Sequence, residues 1–276
     1  MIATVANPIT TSRPATRTVQ ASVPIRDAFA QITTLAWRAL IKMRRNPEQL
    51  VDVTAMPVLF TVMFGLLFGG AIAGSTASYL PTLIPGIIAM TTITACIAAG
   101  VQLREDMDKG VFDRFRSLPI ARFAPLAGPM LADLARYAIA TSVTVTVGVL
   151  MGYRPSGGVL GVAAGMVLAV ITGWSLAWIF LWVGTRARTA GAVQGMSMMI
   201  MFPLAFLSNA FVPVSTLPGW LQTVTRVNPV SHVVSALREL MNHGTFTAQA
   251  GWALLGCATV AAIFIPLAVR SYSRQV

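Results

Sequence analysis

The sequence predicts an all-α membrane protein with six transmembrane helices. Three observations support this fold class: 55% of the 276 residues are hydrophobic, only 11% are charged, and the mean hydropathy is +0.72. Soluble domains carry about 25% charged residues. A hydrocarbon core about 30 Å thick requires roughly 20 apolar residues per helix, so the chain has the length for about six spans joined by short loops. Little length is left for a soluble catalytic domain.

The amino-terminal part is expected to lie at the cytoplasmic surface of the membrane. Residues 1–26 are rich in Thr, Ser, Pro and Ala and lack the apolar core of a signal peptide, which indicates a disordered tail. Residues 27–47 place apolar and basic side chains on opposite sides of a helix, and such a helix lies in the headgroup region. Pro47 ends it. The residues assigned to this interfacial helix are Trp37, Arg38, Lys42 and Arg45.

The six-span transmembrane domain is expected over residues 48–276. Its spans are predicted at about 53–73, 81–103, 129–152, 158–183, 193–212 and 247–269. The segment 213–246 between the last two spans contains Pro and Gly breaks and an amphipathic helix at 230–241. This helix is either re-entrant or lies on the outer surface.

The distribution of basic residues predicts the orientation in the membrane. If the amino terminus lies inside, the inner segments hold sixteen of the 20 Lys and Arg residues and the outer segments hold three. Lys and Arg accumulate in cytoplasmic loops. Both termini are therefore expected in the cytoplasm, in a multi-pass protein of the bacterial plasma membrane.

Composition and motifs argue against several function classes. The net charge is +11, but Lys and Arg are scattered over short segments without interleaved aromatic residues, so nucleic-acid binding is not expected. The sequence has no recognisable catalytic triad and no metal-ligand spacing. A phosphate-binding P-loop requires Gly-Lys-Ser/Thr, whereas Lys42 is followed by Met43 and Lys109 by Gly110. No cofactor is expected on this chain, and any ATP-derived energy must come from a separate protein.

A cluster of charges interrupts the apolar sequence. The segment 104–120, REDMDKGVFDRFRSLPI, holds eight of the 29 charged residues and has no net charge. Apolar residues at helical spacing predict a short helix that Gly110 loosens and Pro119 ends. Balanced charge favours docking to a protein surface, because a lipid-binding helix is usually cationic. The alternative is a solvated helix with internal ion pairs such as Asp106 with Lys109.

The order of several motifs resembles a known transporter family. The motifs are Glu105-Asp106, Gly110, Arg114, Arg116 and Leu118-Pro119-Ile120 in the cluster, Arg44-Arg45-Asn46-Pro47 before the first span, Pro57 within it, Phe211-Val212-Pro213 and Leu217-Pro218-Gly219-Trp220 after the fifth span, and Asn228-Pro229-Val230-Ser231 before the sixth. They resemble the ABC type-2 permeases, and in particular the daunorubicin-resistance group of multidrug exporters.

This resemblance implies a role for the charged cluster. In the family, the corresponding loop contacts a separate ATPase subunit, and two permease chains join two such subunits. ATP and Mg would then bind the partner ATPase. The second permease copy would form a homodimer or a homologous heterodimer. The residues that the resemblance assigns to ATPase coupling are Glu105, Asp106, Gly110, Arg114, Phe115, Arg116, Leu118 and Pro119.

Candidate substrate contacts lie within the second and fifth spans. Flexible methionines suit varied apolar ligands, although methionine also fills gaps in packing, and threonine also bonds its own helix backbone. Asp133 and Arg136, three residues apart, are expected to form an ion pair at the inner boundary. The possible substrate path consists of Thr91, Thr94, Met198, Met199, Phe202 and Asn209.

The sequence thus favours the permease subunit of an ATP-driven exporter for amphiphilic drugs, antibiotics or lipids. One alternative is an exporter of a glycan or a lipid-linked precursor. The other is an ion-coupled secondary carrier. Such carriers usually place a carboxylate deep within a span, and none of the predicted spans has one near its middle.

Overall fold

The computed structural model describes residues 25–45, 47–111, 123–211, 214 and 218–275. In these residues the chain forms nine α-helices and no β-strand. The helices are α1 (Ile25–Arg45), α2 (Pro47–Ala73), α3 (Thr76–Asp108), α4 (Ala124–Leu150), α5 (Gly158–Arg186), α6 (Ala190–Phe206), α7 (Gly219–Val227), α8 (Pro229–His243) and α9 (Ala248–Gln275).

Five of the described helices have the length and apolar composition to cross a membrane: α2, α3, α4, α5 and α9. Helix α6 is also apolar but has only 17 residues, which span about 25 Å. The span predicted at 193–212 is thus represented by a shorter helix that starts earlier and ends at Phe206. Pro203 lacks the N–H that would continue the hydrogen-bond ladder, and the helix ends within one turn of it.

Helix α3 lies at the centre of the bundle. Of its most apolar stretch, 72% is buried, against 22% for α2 and 17% for α9, which lie at the periphery. Gly100 of α3 and Gly184 of α5 meet where these helices cross, and a Cβ at Gly184 would lie 2.5 Å from the carbonyl oxygen of Gly100. Small residues allow membrane helices to approach this closely.

Helix α1 packs along α4 by its apolar side. Ala28 and Ala36 are buried there, and a Cβ at Gly128 of α4 would lie 2.5 Å from Cβ of Leu35. Trp37 is 66% exposed on the opposite side. This division into an apolar packed side and an exposed side is the arrangement of an amphipathic helix.

Helix α8 has defined caps at both ends. Asn228 caps its start, because its Oδ1 accepts a hydrogen bond from the Val230 amide at 2.9 Å, and Pro229 occupies the first turn. Gly244 ends the helix with a φ of 68°, a left-handed conformation that glycine adopts without strain. The helix packs against a row of glycines on α5, spaced four residues apart: Gly157, Gly161 and Gly165.

Candidate functional site

The charged end of α3 forms the described part of the predicted coupling cluster. The central span continues without a break into the cluster and ends at Asp108, and Gly110 then turns the chain with a φ of 66°. A helix through 104–120 was expected, but Gly110 in this conformation ends it instead of loosening it. Glu105, Asp106 and Gly110 lie in this described part. The other coupling residues lie outside the described residues: Arg114, Phe115, Arg116, Leu118 and Pro119.

Ion pairs in this region differ from the pair that the sequence suggested. Under the alternative of a solvated helix, Asp106 would pair with Lys109. Instead, Lys109 Nζ lies 3.3 Å from Glu105 Oε2, and Arg104 bonds Asp108 through Nε at 3.0 Å. These pairs have the i,i+4 spacing that a helix favours. Asp106 is therefore left on a different side of α3, where it can contact another element.

Asp106 joins α3 to the interfacial helix. Lys42 Nζ of α1 lies 3.5 Å from Asp106 Oδ1, and the two side chains are 57% and 29% exposed. An exposed pair of this kind contributes only about 0–1 kcal/mol to stability. Its main effect is to connect the interfacial helix to the end of the central span. Arg38 and Arg45 are exposed on the same helix.

A cavity of about 250 Å³ lies behind this ion pair, between α1, α3 and α4. Its walls are mainly apolar, and its polar residues include the buried pair Asp133 and Arg136. Arg136 Nη2 lies 2.7 Å from Asp133 Oδ1 in an ion pair and donates to Gln102 Oε1 at 3.3 Å. The ion pair expected from the sequence is therefore confirmed, and Gln102 extends it to α3.

The candidate substrate residues fall into two groups. Thr94, Met198, Met199 and Phe202 are exposed, with Met199 80% and Phe202 59% accessible. Thr91 and Asn209 are buried. Thr91 and Thr94 donate to the carbonyls of Ile87 and Met90 at 2.8 and 3.0 Å, so their hydroxyls bond their own helix. Met198, Met199 and Phe202 are exposed apolar residues of α6, Thr94 is exposed on α3, and the buried pair belongs to the interior of the chain.

Asn209 belongs to a polar network that holds α8 against the amino-terminal end of α3. Arg238 of α8 donates to the carbonyls of Asn209 and Thr82 at 3.0 and 3.1 Å. Asn242, one turn further, donates to the Pro81 carbonyl at 2.8 Å. That carbonyl lacks a helical partner because Pro85, four residues later, has no N–H. Helix α8 thus supplies the hydrogen-bond donor that Pro85 cannot offer to the Pro81 carbonyl of α3.

Two groups of this network lie outside the membrane-spanning helices and have shifted pKa values. Burial raises the pKa of Tyr153, in the link between α4 and α5, to about 12. Its hydroxyl therefore stays protonated and donates to Asn242 Oδ1 at 2.7 Å. Burial lowers the pKa of Arg238, and the nearby Tyr79 and Glu239 oppose this shift. Arginine nevertheless stays charged at neutral pH, because its unperturbed pKa exceeds 12.

Sequence reasoning missed both of these contacts between elements. Lys42 and Asp106 had been assigned to separate sites, and their pairing depends on how α1 packs on the bundle. Arg238 had been counted only for orientation and as part of the amphipathic helix at 230–241, and Asn242 had been given no role. Their spacing of four, opposite a span that contains Pro85, was the available signal.

Comparison with known proteins places the chain in a family. The family model described as ABC-2 type transporter matches residues 30–242. The daunorubicin resistance ABC transporter permease protein DrrB1 of Streptomyces coeruleorubidus is 42% identical over 90% of this chain and 88% of its own length. The probable doxorubicin resistance permease DrrC of Mycobacterium tuberculosis is 25% identical over 84% of both chains. The probable multidrug permease YbhR of Escherichia coli is 24% identical over 57% of this chain and 43% of its own length.

These matches extend from the interfacial helix to the end of α8 and confirm the resemblance that the motifs suggested. The chain is a membrane permease and belongs to the ABC-2 type transporter family.

Proposed function

We propose that this chain is the permease of an ATP-driven exporter that moves amphiphilic drugs or lipids outward across the bacterial plasma membrane. The observation that carries this proposal is the 42% identity, over 90% of the chain, to a permease named for daunorubicin resistance. The apolar surface of α6 supports an amphiphilic substrate, because flexible methionines and aromatic rings accept varied apolar ligands. Met198, Met199 and Phe202 lie on this surface.

The proposed topology has six spans, with α6 as the fifth and both termini in the cytoplasm. The excess of Lys and Arg in the inner segments supports this orientation. In it, the ion pair between Lys42 and Asp106 lies at the cytoplasmic surface, and the α8 network closes the outer end of α3. The short α6 crosses fully if the bilayer thins locally, at a modest free-energy cost per ångström of mismatch.

In the proposed mechanism, the energy comes from a separate ATPase that binds ATP and Mg. This ATPase binds the permease at the cluster 104–120. Glu105 and Asp106 lie on the last turn of the central span, so force applied there acts directly on α3. The buried Gly100 and Gly184 contact passes this movement to α5. The peripheral α2 and the exposed side of α6 are available for a second permease copy, either identical or homologous.

The test is transport by vesicles that contain this permease and its ATPase. We expect daunorubicin efflux to follow ATP hydrolysis, and the double variant Glu105→Gln/Arg114→Gln to lower both efflux and drug-stimulated ATPase activity. Arg154→Gln is the matched control, because Arg154 is exposed on the opposite side of the membrane in the proposed topology. The amount of each variant inserted in the membrane is measured in parallel.

Two results would contradict the proposal. If the inserted double variant retained full efflux, the cluster at 104–120 would not couple ATP hydrolysis to transport. Efflux that follows an imposed proton gradient and ignores ATP would identify an ion-coupled carrier instead.

A further inference from the structure

Three arginines surround one groove at the ends of α5 and α9. The groove has a volume of about 480 Å³ and is lined by Arg186, Leu267, Arg270, Ser271 and Arg274. Volumes of about 300–1,000 Å³ are typical of ligand sites. The two helices are tied together beside it, because the hydroxyls of Thr185 and Ser271 form a hydrogen bond of 2.8 Å. Arg186, which follows Thr185, and Arg270, which precedes Ser271, therefore lie on the same surface.

Within the part of the chain that the structure describes, no carboxylate forms an ion pair with any of these three arginines. Arg270 and Arg274 are four residues apart on one helix, and like charges at this spacing destabilise the helix. Arg186 adds a third positive charge from α5. The groove thus concentrates repulsive positive charge, which a bound anion would neutralise.

One of the arginines is held in place by an aromatic ring. The guanidinium carbon of Arg186 lies 4.9 Å from the ring centre of Trp182, and Trp182 packs edge to face on Phe264 of α9 at 5.7 Å. A tryptophan near a span end is typical of the level of lipid headgroups. Leu267 adds an apolar wall on the membrane side of Arg270. The groove therefore combines cations, a hydroxyl and apolar surface at the boundary between membrane and water.

From this arrangement we infer that the groove binds the phosphate of an anionic phospholipid headgroup. Arginine donates paired hydrogen bonds to phosphate oxygens, Ser271 supplies a further donor, and Leu267 contacts the start of an acyl chain. The tryptophan beside the groove lies near the end of a span, at the level of lipid headgroups, and this position favours a lipid over a docked soluble protein. The proposed topology places the site in the cytoplasmic leaflet, and binding itself does not depend on the transport function.

The test uses the full chain in nanodiscs of phosphatidylcholine with and without phosphatidylglycerol. Native mass spectrometry measures which lipid is retained, and the midpoint of thermal unfolding is measured in the same discs. We expect phosphatidylglycerol to be retained in preference and to raise the midpoint. The Arg270→Gln/Arg274→Gln variant should bind it roughly thirtyfold more weakly, which corresponds to about 1 kcal/mol per basic residue at the membrane surface.

Two control variants separate lipid binding from a general loss of charge or fold. Arg154→Gln/Arg188→Gln also removes two arginines, but neither lines the groove, and it should retain phosphatidylglycerol as the unchanged chain does. Arg270→Lys/Arg274→Lys keeps the charges and should keep most of the binding. If both glutamine pairs lose the lipid equally, bulk charge explains the effect and the site is refuted.

Other outcomes would also overturn the inference. Inorganic phosphate that raises the midpoint in pure phosphatidylcholine as much as phosphatidylglycerol does would identify a soluble anion as the ligand. Unchanged lipid retention by Arg270→Gln/Arg274→Gln, with efflux lost in cells, would assign the arginines to a protein contact. Because retention is measured without ATP or drug, a failed exporter assignment would leave this result unaffected.

Discussion

At the residue scale, buried polar pairs determine how the two ends of the central span are held. Asp133 and Arg136 are both about 95% buried, and Gln102 shares their hydrogen bonds. A buried charge that loses its partner is strongly destabilising, because the remaining charge is neither solvated nor paired. At the amino-terminal end of α3, Tyr153 and Asn242 form the corresponding neutral contact.

Asp133→Asn should lower the midpoint of thermal unfolding clearly, because it leaves the Arg136 charge uncompensated. The loss of one member of a buried pair costs about 3–5 kcal/mol in unfolding free energy. Asp133→Leu/Arg136→Met removes both charges and should recover much of that loss. The midpoint is measured on purified protein in detergent. Equal midpoints for the native chain and Asp133→Asn would show that the pair contributes little.

Tyr153→Phe should also destabilise the protein, by about 0.5–1.5 kcal/mol, because it removes the hydrogen bond to the half-buried Asn242 Oδ1. A double-mutant cycle with Asn242→Ala tests whether the two residues act together. Additive effects of the two substitutions would argue against the contact.

This contribution of Tyr153 should depend on pH only under alkaline conditions. The folded pKa is raised to about 12 from 10.0, so the unfolded chain loses the proton first. The stabilisation is therefore complete below about pH 10 and declines between pH 10 and 12. We expect a constant difference between the native chain and Tyr153→Phe from neutral pH to about pH 9, measured by thermal unfolding.

At the element scale, glycine rows determine which helices approach most closely. Gly157, Gly161 and Gly165 present a flat strip of α5 to α8, and the Gly157 amide donates to the Met241 carbonyl at 3.1 Å. This contact exists only because both backbones come within reach of each other. The glycines of α6 differ, since Gly191 and Gly195 have open space where a side chain would be added.

Gly161→Ala and Gly195→Ala should therefore have opposite effects on stability. The new methyl group at position 161 would collide with the Leu240 carbonyl oxygen and push α8 away. At position 195 nothing collides, and alanine is favoured over glycine in a helix by about 0.5–1 kcal/mol. Thermal unfolding of the two variants checks this. A Gly161→Ala protein as stable as Gly195→Ala would show that α8 does not pack as described.

At the scale of the whole molecule, α3 is a continuous connection between the two membrane surfaces. Its 33 residues span about 50 Å. The carbonyls bound by α8 and the carboxylate bound by α1 lie near its two ends. The exposed pair Lys42 and Asp106 adds little stability, so its loss should affect function more than folding. A loss of efflux without a loss of stability would indicate that the pair transmits movement between α1 and α3 and does not merely stabilise the fold.

Lys42→Glu should reduce ATP-stimulated efflux while changing the unfolding midpoint little, because it places two negative charges together and separates α1 from α3. The exchange Lys42→Glu/Asp106→Lys re-forms the ion pair with reversed charges and should restore more efflux than Asp106→Lys alone retains, a comparison that accounts for the separate coupling role proposed for Asp106. Arg44→Glu, the same charge reversal on an exposed position of α1, is the control and should retain efflux. Failure of the exchange to restore efflux, with both variants inserted normally, would contradict a role for this ion pair.

The sequence by itself determined the fold class, the approximate helix positions, the ion pair of Asp133 with Arg136 and the resemblance to the family. These features depend on local composition and on spacings of a few residues, which the helix period converts directly into structure. The end of α6 was less predictable, because the apolar residues among 207–211 continue the hydropathy signal beyond Phe206, where the helix ends.

The contacts between residues far apart in sequence became visible only in the packing of the helices. Asp106 was free to pair with Lys109 or with another element, and the packing of α1 on α4 selected Lys42. The arginines of α5 and α9 had been counted only for orientation, until the crossing of these helices placed them around one groove. The physical reason is that such contacts depend on how closely two backbones approach. That distance is set by glycines and prolines in helices far apart along the chain.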